Sequence, residues 1–128
     1  MDSWLKQLKW DEHGLMPAIA QDYQSAQLLM LAWMNPETLQ LSLSEGRAIY
    51  WSRSRKKIWR KGEESGNVQI IKEIRTDCDK DVILLRVEQK GGIACHTGRH
   101  HCFYNKLENY EWHSVEPVIK SPDQIYTT

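Results

Sequence analysis

One unambiguous piece of helix punctuation stands inside a chain that otherwise reads as short β-type segments, and that contrast sets the fold class. Asn35 offers an N-cap side chain, Pro36 takes the first helical position, and Glu37 places an acid in the first turn. Gly46 stands where a helix can end in the left-handed conformation. The spacing predicts a helix over 36–45. Before it, 15–20 and 26–34 are apolar segments separated by a polar break at 21–25, the pattern of two strands and a turn. After it, 48–52 reads as a strand feeding a basic loop, and 68–75 and 82–89 read as strands flanking 77–81. Trp4, Leu5 and Leu8 recur at helical spacing and suggest a short opening helix. Gly91 and Gly92 break the last strand, 95–102 has loop composition, and 121–128 reads as a loose tail. The expected class is α+β: one domain over 1–128, built on a compact mixed or antiparallel sheet with one or two helices.

Composition narrows the function classes. Among 128 residues, 17 are Lys or Arg and 17 are Asp or Glu, so the charges cancel. That balance argues against a generally basic nucleic-acid binder and against a polybasic membrane module. A 41% hydrophobic and 27% charged composition is ordinary for a globular domain. No apolar run approaches the roughly 18 residues of a bilayer span. The first six residues lack a basic stretch followed by an apolar one, so no export signal is visible and a reducing cytoplasm is expected. Three cysteines cannot pair completely within one chain, and in that compartment thiols near acids and histidines point to metal or catalysis.

Three clusters carry the chemistry. Asp77, Asp79 and Asp81 alternate with Cys78 and Lys80. On a straight strand successive carboxylates lie about 6.6–6.8 Å apart, too far to share one cation, so a common ion requires the chain to bend. The plain alternative is a hairpin turn. An EF-hand is excluded because Val82 holds the sixth position, where glycine is required. Cys95 and Cys102 enclose His96, Gly98, His100 and His101 without any C-x-x-C pair, which excludes a zinc ribbon and a thioredoxin-type site. Three thiols match a catalytic zinc, which keeps three protein ligands and one open position. Buried apolar cysteines are the alternative. Finally, six of the nine residues from 53 to 61 are basic, interleaved with Trp51, Ser52, Ser54 and Trp59 and cut off by Glu63 and Glu64. Guanidinium groups and hydroxyls suit phosphate, and indoles suit a base. A small phosphorylated ligand fits this short run, and a zinc-stabilised module binding single-stranded nucleic acid is the runner-up.

These residues resemble the phosphoribosyl-AMP cyclohydrolase family of histidine biosynthesis. The matching stretches are Ala32-Trp33-Met34-Asn35, Tyr50-Trp51-Ser52-Arg53-Ser54-Arg55, Trp59-Arg60-Lys61-Gly62-Glu63 and Ser65-Gly66. They continue with Asp77-Cys78-Asp79 through Asp81, Cys95-His96-Thr97-Gly98-Arg99 and Cys102-Phe103-Tyr104. Glu64 stands where the family commonly has a small hydroxyl residue, and His101 replaces the usual serine before Cys102.

The resemblance implies hydrolysis of the C6–N1 bond in the adenine ring of 1-(5-phosphoribosyl)-AMP by zinc-activated water, in the stand-alone form of the enzyme. It implies a homodimer with shared metal sites: zinc on Cys78, Cys95 and Cys102, and magnesium on Asp77, Asp79 and Asp81. His96, beside a zinc ligand, is the expected base. Ser52, Arg53, Ser54, Arg55 and Lys61 would grip the phosphates, with Trp51, Trp59, Gly62, Glu63, Ser65, Gly66 and Arg99 completing the substrate contacts. The expected partner is this small nucleotide, with neither nucleic acid nor membrane.

Overall fold

The protein is described over residues 2–126 by a computed structural model. In chain order its elements are α1 (Ser3–Lys6), β1 (Met16–Asp22), β2 (Leu28–Met34), α2 (Pro36–Glu45), β3 (Ile49–Ser52) and β4 (Lys57–Arg60). These are followed by β5 (Gln69–Thr76), β6 (Ile83–Gln89), β7 (Asn105–Glu108), β8 (Glu111–Ser114) and α3 (Pro122–Ile125). The α+β class follows from them, with a mixed sheet ordered β2-β1-β6-β5 and two separate hairpins, β3-β4 and β7-β8.

The central strands β1 and β6 run parallel, while β1-β2 and β5-β6 are antiparallel hairpins. The parallel ladder opens at Ala18 against Ile83, one residue after Pro17, which has no N–H to give it. Alternate residues of these strands form the core: Met16, Ala18 and Ala20 on β1, and Ile83, Leu85 and Val87 on β6, joined by Leu29, Met34, Leu39 and Tyr50. All have under about 2% of their surface exposed.

Helix α2 forms as its punctuation requires. The Asn35 side chain accepts from the Thr38 N–H at 2.8 Å, and the Thr38 hydroxyl accepts from the Asn35 N–H at 2.9 Å. Gly46 ends the helix at φ 74°. Ser42, buried in α2, accepts from the Ile49 N–H at 2.9 Å and so pins the helix to β3.

Three segments differ from the sequence expectation. The basic stretch is not all loop: the chain turns at 53–56, with Lys56 at φ 52°, and returns as β4. Trp59 then faces Tyr50 across the hairpin with ring centroids 5.6 Å apart, an aromatic pair that a count of cations conceals. Beyond Tyr104, where no pattern is legible, β7 and β8 pair with every residue exposed. Of the expected tail at 121–128, Pro122–Ile125 form α3, with a Ser121–Gln124 capping box and a buried Ile125; Thr127 and Thr128 lie outside the described residues.

This topology places the chemical clusters. The acidic turn precedes β6 and the cysteine loop follows it, so a seven-residue strand, about 20 Å long, separates them.

Candidate active site

The β5-β6 connection bends as a shared cation would demand. Oxygens of Asp77, Asp79 and Asp81 all lie within 4.8 Å of one another, and no other group of three or more such ligand atoms forms among the described residues. Lys80, at φ 58°, turns the chain. The Asp81 N–H donates to Asp77 Oδ1 at 3.1 Å, and this bond holds the Asp77 carboxyl below its ordinary range. Partial desolvation and then the neighbouring Asp77 and Asp79 charges push Asp81 the other way. Oxygens about 2.0–2.1 Å from a magnesium ion sit about 2.9 Å apart when adjacent and about 4.2 Å when opposite, so the carboxylates would draw together on binding, and waters can fill the rest of the shell. The donor set therefore fits a hard divalent cation. The hairpin-turn alternative is realised as well, and the turn and a cation site do not exclude each other.

The cysteine loop is folded against the sheet. The Cys102 N–H donates to the Leu29 carbonyl at 2.7 Å, and the Cys95 N–H to the Arg99 carbonyl at 3.2 Å. Burial first, then the neighbouring Cys95 sulfur, push the Cys102 thiol up to about 12, while Lys61 pulls it down. The Thr97 hydroxyl donates to Cys95 Sγ at 3.0 Å. These soft donors suit zinc, but one chain supplies two of them; Cys78 is exposed on the acidic turn at the far end of β6 and is not brought to Cys95 and Cys102.

Lys61 departs most from its expected place. It is buried, 7% exposed, and its ammonium donates to the Ala94 carbonyl next to Cys95 rather than facing solvent. Desolvation lowers its pKa, opposed by Cys102 and Cys95. Arg60 is engaged too, through both guanidinium arms, with Glu45 at 3.0 and 3.3 Å. Arg53 and Arg55 are exposed and form no ion pair among the described residues.

Arg53 borders a groove of about 470 Å³ lined also by Ala32, Trp33, Trp51, Ser52, Ser54 and Trp59, and Arg55 lies in the same turn at 53–56. The Arg53 guanidinium stacks on the Trp33 ring at 4.3 Å, which fixes a cation at the rim. Ser52 Oγ accepts from the Arg55 N–H at 3.2 Å and lies 3.5 Å from Ser54 Oγ. Ala32 and Trp33 line the groove and are missing from the expected contact set; their only sequence signal is their place in the 32–35 stretch. Behind the groove, the buried Tyr50 hydroxyl donates to Gln69 at 2.6 Å, and Gln69 donates to Gln89 at 2.9 Å.

The remaining expected residues divide. Gly62 is buried, and a Cβ there would collide with the Asn67–Val68 backbone. The Gly66 N–H returns to Gly62 at 2.8 Å, and Ser65 accepts from Asn67, so this turn closes on itself while Glu63 stays exposed. Arg99 faces the C-terminal arm. It donates to the Glu116 carbonyl at 3.0 Å and to Ser114 at 3.2 Å, and lies 4.0 Å over the Tyr104 ring. His96 is exposed and has no hydrogen-bond partner among the described residues. His100 meets the Gly92 carbonyl at 2.7 Å, and His101 bridges the Phe103 N–H and Glu116.

Residues 30–104 match the sequence model of phosphoribosyl-AMP cyclohydrolase. A protein of Pseudomonas fluorescens named phosphoribosyl-AMP cyclohydrolase 1 is 63% identical over 127 residues, covering 99% of this chain and 98% of its own. Phosphoribosyl-AMP cyclohydrolases of Nitrosospira multiformis and Nitrosococcus oceani are each 62% identical, covering 98% and 96% of this chain and 96% and 93% of theirs. With its sequence motifs clustered into a thiol loop, an acidic turn and a tryptophan-lined groove, and with relatives of this identity along nearly its whole length, the chain belongs to the phosphoribosyl-AMP cyclohydrolase family, hydrolases of histidine biosynthesis.

Proposed function

We propose that the chain opens the adenine ring of 1-(5-phosphoribosyl)-AMP by hydrolysis of the C6–N1 bond, working as a homodimer whose sites are completed across the subunit interface. The observation that carries this proposal is the adjacency of the groove to the thiol pair. Trp59 lines the groove, and its ring lies 5.4 Å from the Lys61 ammonium, which is held beside Cys95 and Cys102.

Residue roles follow from that geometry. Arg53 and Arg55 are unpaired cations, and with the Ser52 and Ser54 hydroxyls they match a phosphate bidentately. Trp51 and Trp59 offer faces to the purine. Cys95 and Cys102 of one subunit, with Cys78 of the other, would hold zinc; Asp77, Asp79 and Asp81 would hold magnesium near a phosphate. Bound zinc supplies an activated water at near-neutral pH. His96, exposed and free to turn, takes the proton from the attacking water. The ribosyl group on N1 makes C6 electrophilic. The water oxygen bonds to C6, the C6–N1 bond breaks and N1 takes a proton. N1 stays on the opened product because it is still bonded to C2.

Two features favour the dimer. Cys78 and the thiol pair lie at opposite ends of β6, so one chain does not close a three-thiol site. The β7-β8 hairpin projects with Leu107 54% and Trp112 70% exposed, near a 54% exposed Phe103, an apolar surface of the kind that subunits cover. Free thiols also suit a cytoplasmic setting. The engagement of Arg60 and the burial of Lys61 shorten the basic run, which disfavours a polyanion track.

The test is spectroscopic. Purified, zinc-loaded protein mixed with phosphoribosyl-AMP should shift the ultraviolet absorption of the adenine chromophore as the ring opens. Cys95→Ala should lose both zinc and this change. Unchanged spectra with wild type, or full activity in Cys95→Ala, would overturn the proposal.

A further inference from the structure

Lys61 is the one buried lysine or arginine among the described residues, and it lies beside the thiol loop. A buried ammonium is costly unless an anion faces it. Among the described residues Lys61 forms no ion pair with any carboxylate, and its fixed contacts are the Ala94 carbonyl and, at 5.4 Å, the Trp59 ring. The groups that act on it electrostatically are Cys95 and Cys102. A phosphate grip needs a cation at the groove surface, as the Arg53 guanidinium provides; Lys61 is 7% exposed and its ammonium is turned to the Ala94 carbonyl.

We infer that Lys61 is a positioning residue of the metal centre: its ammonium supplies the counter-charge of the Cys95–Cys102 thiolate pair, and it does not bind substrate phosphate. This rests on the thiolate site proposed above. Three thiolates around a divalent ion leave one negative charge, and Lys61, the single buried lysine or arginine among the described residues, is placed to cancel it. Its bond to Ala94 also fixes the backbone entering Cys95, and its place against Trp59 couples the charge of that centre to one wall of the groove.

The test uses full-length protein loaded with Co²⁺, whose thiolate-to-metal absorption band reports the coordinating sulfurs directly. Lys61→Met removes the charge at nearly constant volume, and Lys61→Arg keeps it. The expected result is a loss of about tenfold or more in Co²⁺ and Zn²⁺ affinity for Lys61→Met, partly rescued in Lys61→Arg, with a displaced thiolate band. With metal saturating, kcat should fall while KM for phosphoribosyl-AMP stays within about twofold. A wild-type band and affinity in Lys61→Met, with a raised KM, would overturn the inference and restore the phosphate role. Absence of the band in the wild-type protein would instead overturn the thiolate site itself. Should Lys61→Met not fold, Lys61→Gln is read in the same metal-affinity and kinetic assays, and the same outcomes decide.

Discussion

Gly98 sits at φ 89°, and a Cβ built on it would fall onto the Lys120 carbonyl, so only glycine lets the C-terminal arm pass over the cysteine loop. The arm is tied there by the Ile119 N–H to Gly98 O at 2.8 Å and by Arg99 to the Glu116 carbonyl at 3.0 Å. Gly98→Ala should therefore cost about 2 kcal/mol or more, combining left-handed strain with displaced backbone, and should lower zinc retention as well. Urea unfolding with metal analysis measures both; a wild-type midpoint would mean that the arm does not lie on the loop. At this scale the sequence was partly legible. The identities of the thiols and carboxylates stand out because Cys and clustered Asp have few bland uses in such spacing. The fates of Lys61 and Arg60 do not: both sit in a run of six cations, and only the strand pairing that turns Lys61 inward and sets Arg60 against Glu45 distinguishes them from Arg53 and Arg55.

Helix α2 was legible to the residue because its ends are specified by local chemistry alone: a reciprocal Asn35–Thr38 cap and a left-handed Gly46. Replacing Asn35 with alanine should lower stability by about 0.5–2 kcal/mol, read as a shifted urea midpoint at constant slope. The β7-β8 hairpin escaped detection for the opposite reason: its strands pair with each other and bury nothing, so no apolar alternation marks them. The acidic turn lay between these cases. Alternation at 77–81 left a bent, ion-binding chain and a plain hairpin turn both open; the left-handed Lys80 gathers the carboxylate oxygens within 4.8 Å, against about 6.6–6.8 Å on a straight strand. The β1-β2 turn carries a pH signature. Asp22 Oδ1 accepts from the N–H groups of Gln24 and Ser25 at 2.9 Å, and the Ser25 bond chiefly holds its pKa below the ordinary 3.8. Its stabilisation is thus complete above about pH 5 and is lost as pH falls through and below 3.8. Asp22→Asn should be less stable than wild type at neutral pH and converge with it near pH 2, as urea midpoints across that range will show; parallel profiles would remove Asp22 as a contributor.

At the scale of the whole molecule, a net charge of zero conceals segregated sites: an acidic turn at one end of β6, a thiol pair enclosing Lys61 at the other, and an arginine-rimmed groove along the β3-β4 hairpin. The separation of Cys78 from Cys95 and Cys102 follows from chain topology and could not be read from three cysteines in a row of letters. On the proposed three-thiol site it calls for a second subunit, whose acidic turn a two-fold axis would bring to the thiol loop of the first. Complementation tests this most directly. Cys78→Ala and Cys95→Ala proteins, each inactive alone, are mixed in equal amounts, unfolded and refolded together with zinc, and assayed for ring opening. Random pairing makes half the dimers mixed, and each mixed dimer keeps one site whose three thiols are intact, so about a quarter of wild-type activity should return. If the mixture stays as inactive as its components while refolded wild type recovers, the three thiols act within one chain and the shared site is wrong.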